Sequence, residues 1–122
     1  MKIITGNLDN SSTERNGWFI GHFVDDVENF NTKDFEVKWS YHKKGEFQRS
    51  TLNKTAKTIC VLISGRAIFE FPKDDKKIKL EKQGDFVFWD SAMPYIFRSI
   101  EDSKLLTIRW PSIPNDQRLD DD

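Results

Sequence analysis

Cysteine and histidine are scarce in this sequence of 122 residues. It contains one cysteine, Cys60, and two histidines, His22 and His42. A single cysteine excludes an intramolecular disulfide framework and fits a reducing compartment. It also leaves, with two imidazoles, few ligands for a transition metal. The sequence has no run of about 18 apolar residues, and its first residues lack the apolar stretch of a signal peptide. We therefore expect a cytoplasmic protein with no membrane partner.

Neither sign of charge is in excess. The 19 Lys and Arg residues nearly balance the 20 Asp and Glu residues, which gives a formal net charge of −1. Such a balance provides no electrostatic basis for binding nucleic acid or an anionic membrane surface. The lysines at 43–44 and 73–79 have acidic neighbours, so we interpret them as solvated hairpin tips. Nucleic acid is therefore not expected as a partner.

Aromatic residues are plentiful, and most lie in short alternating segments. They make up 13% of the sequence, enough for a small core of large rings. In residues 35–42 the apolar side chains take every odd position, which is typical of a half-buried strand. Further β-favouring segments span residues 2–4, 18–24, 58–63, 67–71, 78–80, 85–89, 95–100 and 105–110. About nine strands separated by frequent turn signals predict an all-β sandwich or barrel.

The length and the charge distribution indicate one domain followed by a tail. Residues 1–114 carry all the predicted strands, and a chain of this size forms a single domain. Residues 115–122 contain four Asp and one Arg. We expect this acidic tail to be disordered, because the last residues of a domain are poorly ordered unless something holds them.

Two segments resemble the motifs of the cupin superfamily. Residues 57–67, K-T-I-C-V-L-I-S-G-R-A, resemble the end of the first cupin motif. Residues 84–95, G-D-F-V-F-W-D-S-A-M-P-Y, resemble the second, at about the separation found in small cupins. The resemblance implies a double-stranded β-helix, which is a jelly-roll barrel.

The same resemblance locates the family's metal ligands, and this sequence lacks them. The paired histidines of the first motif correspond to Thr51 and Asn53, its glutamate to Thr58, and the histidine of the second motif to Tyr95. Neutral hydroxyl and amide groups bind first-row divalent metals poorly. We therefore predict a metal-free cupin-like protein without a cofactor; a metal-dependent cupin with unusual ligands is the alternative.

The barrel interior is the predicted ligand site. If Thr58 and Tyr95 point inward, then Cys60, Leu62, Phe97 and Ser99 do so too, because residues two apart share a face of a strand. Trp39 and Tyr41 are expected to join them from a neighbouring strand, with Trp110 a weaker candidate. The candidate ligand-binding residues are Trp39, Thr51, Asn53, Thr58, Tyr95 and Phe97. They suit a small, partly aromatic or sugar-like ligand, unless the rings fill the barrel completely.

The remaining reactive side chains have simpler interpretations. His42 and Glu46 could form half of a site, but a solvent-facing histidine beside a turn is the favoured reading. We interpret His22 as structural and Cys60 as a buried small hydrophobe rather than a reactive thiol.

Three functions follow from these observations. The leading hypothesis is a small-molecule-binding or regulatory module. The alternatives are a cofactor-independent isomerase, epimerase or lyase that uses Tyr95 or His42, and a non-catalytic interaction protein with a filled barrel. Ile59, Val61 and Ile63 are expected to face outward, where the segment 18–24 or a second subunit would cover them. Because cupins commonly dimerise, we expect a homodimer.

Overall fold

The computed structural model describes residues 2–11 and 15–120. In these residues it contains ten strands, a short helix α1 (Leu8–Ser11) and 3-10 turns at Glu28–Phe30 and Pro72–Asp74. The strands are β1 (Trp18–Ile20), β2 (Glu36–His42), β3 (Phe47–Asn53), β4 (Lys57–Ser64), β5 (Ala67–Phe71), β6 (Lys76–Leu80), β7 (Phe86–Trp89), β8 (Tyr95–Ser99), β9 (Ser103–Trp110) and β10 (Gln117–Leu119). The all-β prediction is confirmed. Within the described ranges, no helix has the length and apolar character needed to cross a membrane.

The strands form two antiparallel sheets of five strands each. The first sheet has the order β1-β2-β9-β4-β7 and the second the order β10-β3-β8-β5-β6. Chain neighbours β2 and β3, and likewise β4 and β5, lie in different sheets. The two sheets therefore wrap together as the double-stranded β-helix that the sequence predicted.

The core lies between the sheets and consists mainly of rings. Trp89 of the first sheet packs against Phe69 and Tyr95 of the second, with ring centroids 5.5 and 4.5 Å apart. Cys60 and Leu62 of β4 are buried in the same cluster. The inward direction predicted for alternate residues of β4 and β8 is thus confirmed.

The turn between β4 and β5 requires the glycine of the first motif. Gly65 has a φ of +89°, and a Cβ atom there would lie 2.3 Å from the carbonyl oxygen of Asp102. Both the backbone conformation and the close approach exclude a side chain at this position. The turn carries the chain from one sheet to the other.

The segment after residue 114 is ordered where the structure describes it, which differs from the predicted disorder. Strand β10 pairs with β3 at the edge of the second sheet. The buried carboxylate of Asp116 accepts hydrogen bonds from the backbone N–H groups of Thr55 and Ala56, at 2.9 and 3.0 Å. Because Asp116 binds backbone groups of the barrel, residues 115–120 are part of the domain. The boundary that composition placed after residue 114 differs from this. Residues 121–122 lie outside the described residues.

Strand β2 faces the opposite way from the prediction. Its alternation is correct, but Glu36, Lys38 and Ser40 lie on the inner side, whereas Trp39 and Tyr41 point outward. Trp39 donates its indole N–H to the carboxylate of Asp9 at 2.8 Å. A period of two shows which residues share a face, but it does not show which face is the core when both faces are covered. The inversion places charged groups inside the barrel.

Candidate functional site

An interior cavity of about 40 Å³ lies at one end of the barrel. Aromatic rings form one side of it, and polar side chains from β2, β3 and β9 form the other. An outer groove of about 450 Å³ lies next to the cavity, since Lys38, Ser40, His42 and Gln48 line both. Rings occupy most of the interior, and the remaining space lies beside polar side chains.

Three of the predicted site residues, Thr51 of β3 with Tyr95 and Phe97 of β8, lie together at this polar end. Tyr95 and Phe97 line the cavity. The side-chain amide of Gln48 donates to the hydroxyl groups of both Thr51 and Tyr95, at 2.9 and 3.2 Å. Gln117 of β10 donates to the same two hydroxyl groups, at 3.3 and 3.2 Å. The segment predicted to be a disordered tail thus supplies a residue next to the site.

The other predicted residues lie elsewhere. Asn53 is buried and lines a separate cavity of about 220 Å³, and Thr58 is fully buried on β4. Trp39 was predicted to stack on a ligand inside the barrel, and this is wrong, because its side chain is on the outer face of β2. Tyr41, likewise expected inside, is 54% exposed, and Trp110 is also on the outside.

Charged residues that were not predicted for the site line the cavity. Lys38 and Arg109 both line it, and both lie over the ring of Trp18, at 5.6 and 4.8 Å from its centroid. The guanidinium of Arg109 contacts the carboxylate of Glu36 at 3.7 Å and donates to the hydroxyl group of Tyr95 at 3.3 Å. Burial, and then the charge of Arg109, hold the pKa of Lys38 below its ordinary value of 10.5. A buried pair of cations is costly to a fold unless something compensates it.

A row of polar atoms beside the cavity has no hydrogen-bond partner among the described residues. Arg109, Thr58 and Trp89 are cross-strand neighbours on β9, β4 and β7. The unpartnered atoms are the Nε of Arg109, the hydroxyl oxygen of Thr58 and the indole nitrogen of Trp89. Unpartnered buried donors are rare in proteins, because each costs about 1–3 kcal/mol. Two of the three residues, Arg109 and Trp89, line the cavity.

His42 is part of the cavity wall rather than a solvent-facing residue, which corrects the favoured reading. Its Nδ1 contacts the carboxylate of Glu46, and its Nε2 lies 2.9 Å from the hydroxyl oxygen of Ser40. Its ring packs on Phe97, with centroids 4.8 Å apart. Burial lowers the pKa of His42 below its ordinary value, against the opposing effect of the hydrogen bond to Glu46. His42 is therefore neutral around pH 7.

The second histidine and the cysteine have structural surroundings. His22 Nδ1 lies 2.6 Å from the hydroxyl oxygen of Ser112, which donates to Glu36 at 2.9 Å. Ser112 is buried, and this arrangement does not prepare it as a nucleophile, because its proton goes to the carboxylate rather than to the imidazole. Burial raises the pKa of Cys60 to about 11, so its thiol stays protonated at neutral pH.

The residues at the family's metal-ligand positions do not suit a divalent cation. They are two threonines, an asparagine and a tyrosine, and the tyrosine hydroxyl is bonded to a guanidinium. Groups of three or more histidine, cysteine or acidic side chains able to hold a metal are absent from residues 2–11 and 15–120. Two positive side chains beside the position would also repel a metal. The donor set thus differs in type and in charge from that of a metal-binding cupin.

These features define the class by fold: the protein is a cupin-type double-stranded β-helix. Solved structures with the same fold include the DMSP lyase DddQ from Ruegeria pomeroyi, with a TM-score of 0.64 and 20% identity over 75% of this chain and 45% of that one. Another is an uncharacterised conserved protein with a double-stranded β-helix domain from Klebsiella pneumoniae, with a TM-score of 0.62 and 19% identity over 72% and 71% of the two chains. KdgF from Halomonas sp. matches with a TM-score of 0.61 and 17% identity over 67% and 74%.

The similarity to these solved structures is a similarity of fold, and it does not relate the chain to one particular protein. This chain spans less than half of the length of the lyase. No family model matches the sequence, and no curated protein matches it significantly. The resemblance to cupins seen in the sequence motifs is confirmed at the level of the fold.

Proposed function

We propose that this protein is a metal-free small-molecule-binding or regulatory module whose ligand enters the polar end of the barrel. The observation that carries the proposal is the polar inner face of β2, with Lys38, Ser40 and His42 beside an open cavity. Burying such groups is unfavourable unless they gain partners. A strand that faces its aromatic residues outward and its polar residues inward has an interior suited to binding rather than only to stability.

A thermal-shift screen against a metabolite library tests this proposal. A ligand that binds only the folded protein raises the melting temperature. Ser40→Leu would narrow the passage between groove and cavity, so it should abolish that shift. Ser64→Leu, at the exposed end of β4, is the matched control and should leave the shift intact. The proposal fails if no class of metabolite stabilises the protein, or if Ser40→Leu leaves every shift unchanged.

An acid–base enzyme is the second candidate, and the position of His42 favours it. The imidazole lines the cavity, is neutral near pH 7, and is oriented by Glu46 and Ser40. These are the properties of a general base. Tyr95 is a weaker candidate for this role, because its hydroxyl group is hydrogen-bonded to Gln48, Gln117 and Arg109 rather than to a base.

Solvent exchange distinguishes an enzyme from a binding module. An isomerase, epimerase or lyase that removes a proton from carbon would introduce deuterium into its substrate in heavy water. Mass spectrometry of the same library after incubation with the protein would detect this label. His42→Gln should abolish the label but keep binding. Binding without any labelled metabolite would contradict the enzymatic candidate.

We also propose that a second copy of the chain covers the outer face of the first sheet. Phe86 and Phe88 are 62% and 47% exposed there, and Phe88 stacks on Trp110 at 6.0 Å. Ile59, Val61 and Ile63 lie on the same face. Strand β1 pairs with β2 and is the edge strand of this sheet, so it does not cover the face. Such a flat apolar face can pack against its own copy about a two-fold axis.

The molar mass in solution tests this assembly. We expect the mass of a dimer by sedimentation, and that of a monomer for Phe88→Asp. Phe47→Asp, at an exposed aromatic residue of the second sheet, is the control and should remain dimeric. A monomeric wild-type protein would refute the proposed dimer and would leave the ligand-binding proposal unaffected.

A further inference from the structure

The cavity lining has more hydrogen-bond donors than acceptors. The Nε of Arg109 and the indole N–H of Trp89 have no acceptor in the described part of the chain. The ammonium group of Lys38 lies over a tryptophan ring and not beside a carboxylate. The hydroxyl group of Tyr95 contacts an arginine and two glutamine side chains, so its hydrogen bonds are made within the chain. The wall of the cavity is therefore short of acceptors.

We infer that the inner end of the groove binds the carboxylate group of a small monocarboxylic acid, with Lys38 and Arg109 supplying the opposing charge. The inference rests on the proposed binding function and names its ligand class. A guanidinium offers a planar fork of donors that matches the two oxygens of a carboxylate. An ammonium adds a compact positive charge at the same place.

The charges around the cavity set the charge of the ligand. Lys38 and Arg109 contribute two positive charges, and Glu36, at 3.7 Å from Arg109, compensates one of them. His42 and Cys60 are neutral near pH 7. Without Glu46, whose carboxylate contacts His42 and lines the outer groove, the inner wall therefore carries one net positive charge. A singly charged anion balances it, whereas a phosphate dianion brings one negative charge too many.

The dimensions of the site indicate how such a ligand lies. A volume of about 40 Å³ holds roughly three water molecules, which is about the size of one carboxylate group. The rest of the molecule would occupy the outer groove, which Tyr41 and Glu46 also line. The carboxylate of Glu46 repels a second acidic group there. Monocarboxylates should therefore bind better than dicarboxylates of similar length.

Calorimetric titration with paired probes tests the inference. Acetate, butyrate and benzoate are compared with acetamide, butyramide and benzamide, and with succinate, at equal ionic strength in chloride. We expect heat of binding and a raised melting temperature for at least one monocarboxylate. Its amide should bind at least about tenfold more weakly, because a lost charged hydrogen bond is worth that much. Succinate should also bind more weakly, because the carboxylate of Glu46 repels its second acidic group.

Two lysine variants identify the groups responsible. Lys38→Met should weaken binding of the same probe by about tenfold or more, since it removes one charged donor. Lys104→Met makes the same change on the outer face of β9, where Lys104 pairs with Asp9 at 3.1 Å, and should leave the affinity unchanged. Melting curves of both variants check that they are folded.

The outcomes separate the inference from the function on which it rests. If a neutral metabolite binds at this end of the barrel and Lys38→Met does not affect it, the ligand class is wrong and the binding function stands. Equal binding of acids and amides, or equal weakening by the two lysine variants, also overturns the inference. If neither acids nor any other metabolite binds, both proposals fail.

Discussion

Replacing Lys38 with methionine should change the stability of the protein and its affinity for a ligand in opposite directions. Methionine keeps the length and much of the volume of the side chain and removes the ammonium group. In the folded protein that group is desolvated and repelled by Arg109, and the pKa of Lys38 is lowered for these reasons, in that order. We therefore expect Lys38→Met to be more stable than the wild type at neutral pH, although it binds ligand more weakly.

The size of this gain follows from the surroundings of the side chain. Exchanging buried charges for apolar groups of similar volume stabilises proteins by up to about 1–4 kcal/mol. Lys38 is half-buried, so solvent reduces the effect to the lower end, about 1–2 kcal/mol. In a chain of this size that corresponds to a rise in melting temperature of roughly 3–10 °C.

The pH dependence provides a sharper signature than the gain itself. Because folding lowers the pKa of Lys38 below 10.5, the unfolded chain binds more protons between the two values. The stability of the wild type therefore rises with pH through that window, and its difference from Lys38→Met shrinks to nothing above it. Tyr41, whose pKa is raised by its hydrogen bond to Asp102, titrates in both proteins and cancels in the difference. The pKa of Cys60 is raised by burial and partly lowered again by Lys38, so a Cys60→Ala background removes its contribution from the comparison.

Urea denaturation of both proteins across the alkaline range measures this difference. Lys104→Met serves as the control, and should change the free energy of unfolding by less than about 1 kcal/mol because an exposed ion pair contributes little. A Lys38→Met protein that is less stable than the wild type, or a difference that does not shrink with pH, would refute the description of Lys38 as an uncompensated interior cation.

Three further predictions concern other parts of the structure. Burial keeps the pKa of His42 below 6.5, so the free energy of unfolding of the wild type should fall as the pH drops below that value. In His42→Gln this free energy should depend less on pH in the acid range. An unchanged pH dependence would contradict the lowered pKa of His42. Asp116→Asn should cost about 1–3 kcal/mol, because the amide can accept from only one of the two backbone N–H groups that the carboxylate binds. Exposed Asp120→Asn should cost little, and equal urea midpoints for the two variants would contradict this role of Asp116. Gly65→Ala should cost about 2–4 kcal/mol, because Gly65 has a positive φ and an added Cβ would also meet backbone atoms. Gly84→Ala should cost only about 1 kcal/mol, because Gly84 has a positive φ but open space around it. Similar melting temperatures for the two variants would argue against the close approach at Gly65.

The sequence predicted the strands well because most of them alternate or end at a turn residue. Strand β3 was not predicted, since Gln48 and Thr51 carry polar side chains and a register shift interrupts its pairing between them. Strand β10 was missed for a related reason: its residues are polar, and its order depends on Asp116, whose partners are backbone groups more than 50 residues away. A contact over such a distance along the chain cannot be predicted from local composition.

The candidate site was predicted in part. The motif positions correctly brought Thr51 and Tyr95 to one end of the barrel and placed Phe97 beside them. Lys38 and Arg109 were not predicted to be site residues. In an alternating strand the aromatic side is normally assigned to the core, which would direct these two charged side chains to solvent. Here the outer face of the sheet is also apolar, so hydropathy alone could not choose between the two orientations.

We propose that the positively charged side chains of Lys38 and Arg109 take the place of a metal in this barrel. Elemental analysis tests it most directly, on protein purified without chelators and then incubated with iron, manganese, nickel and zinc salts before desalting. We predict metal far below one atom per chain, because the donor groups are neutral and the neighbouring charges are positive. Retention of close to one atom per chain, lost on replacing Tyr95 or Thr51, would contradict it.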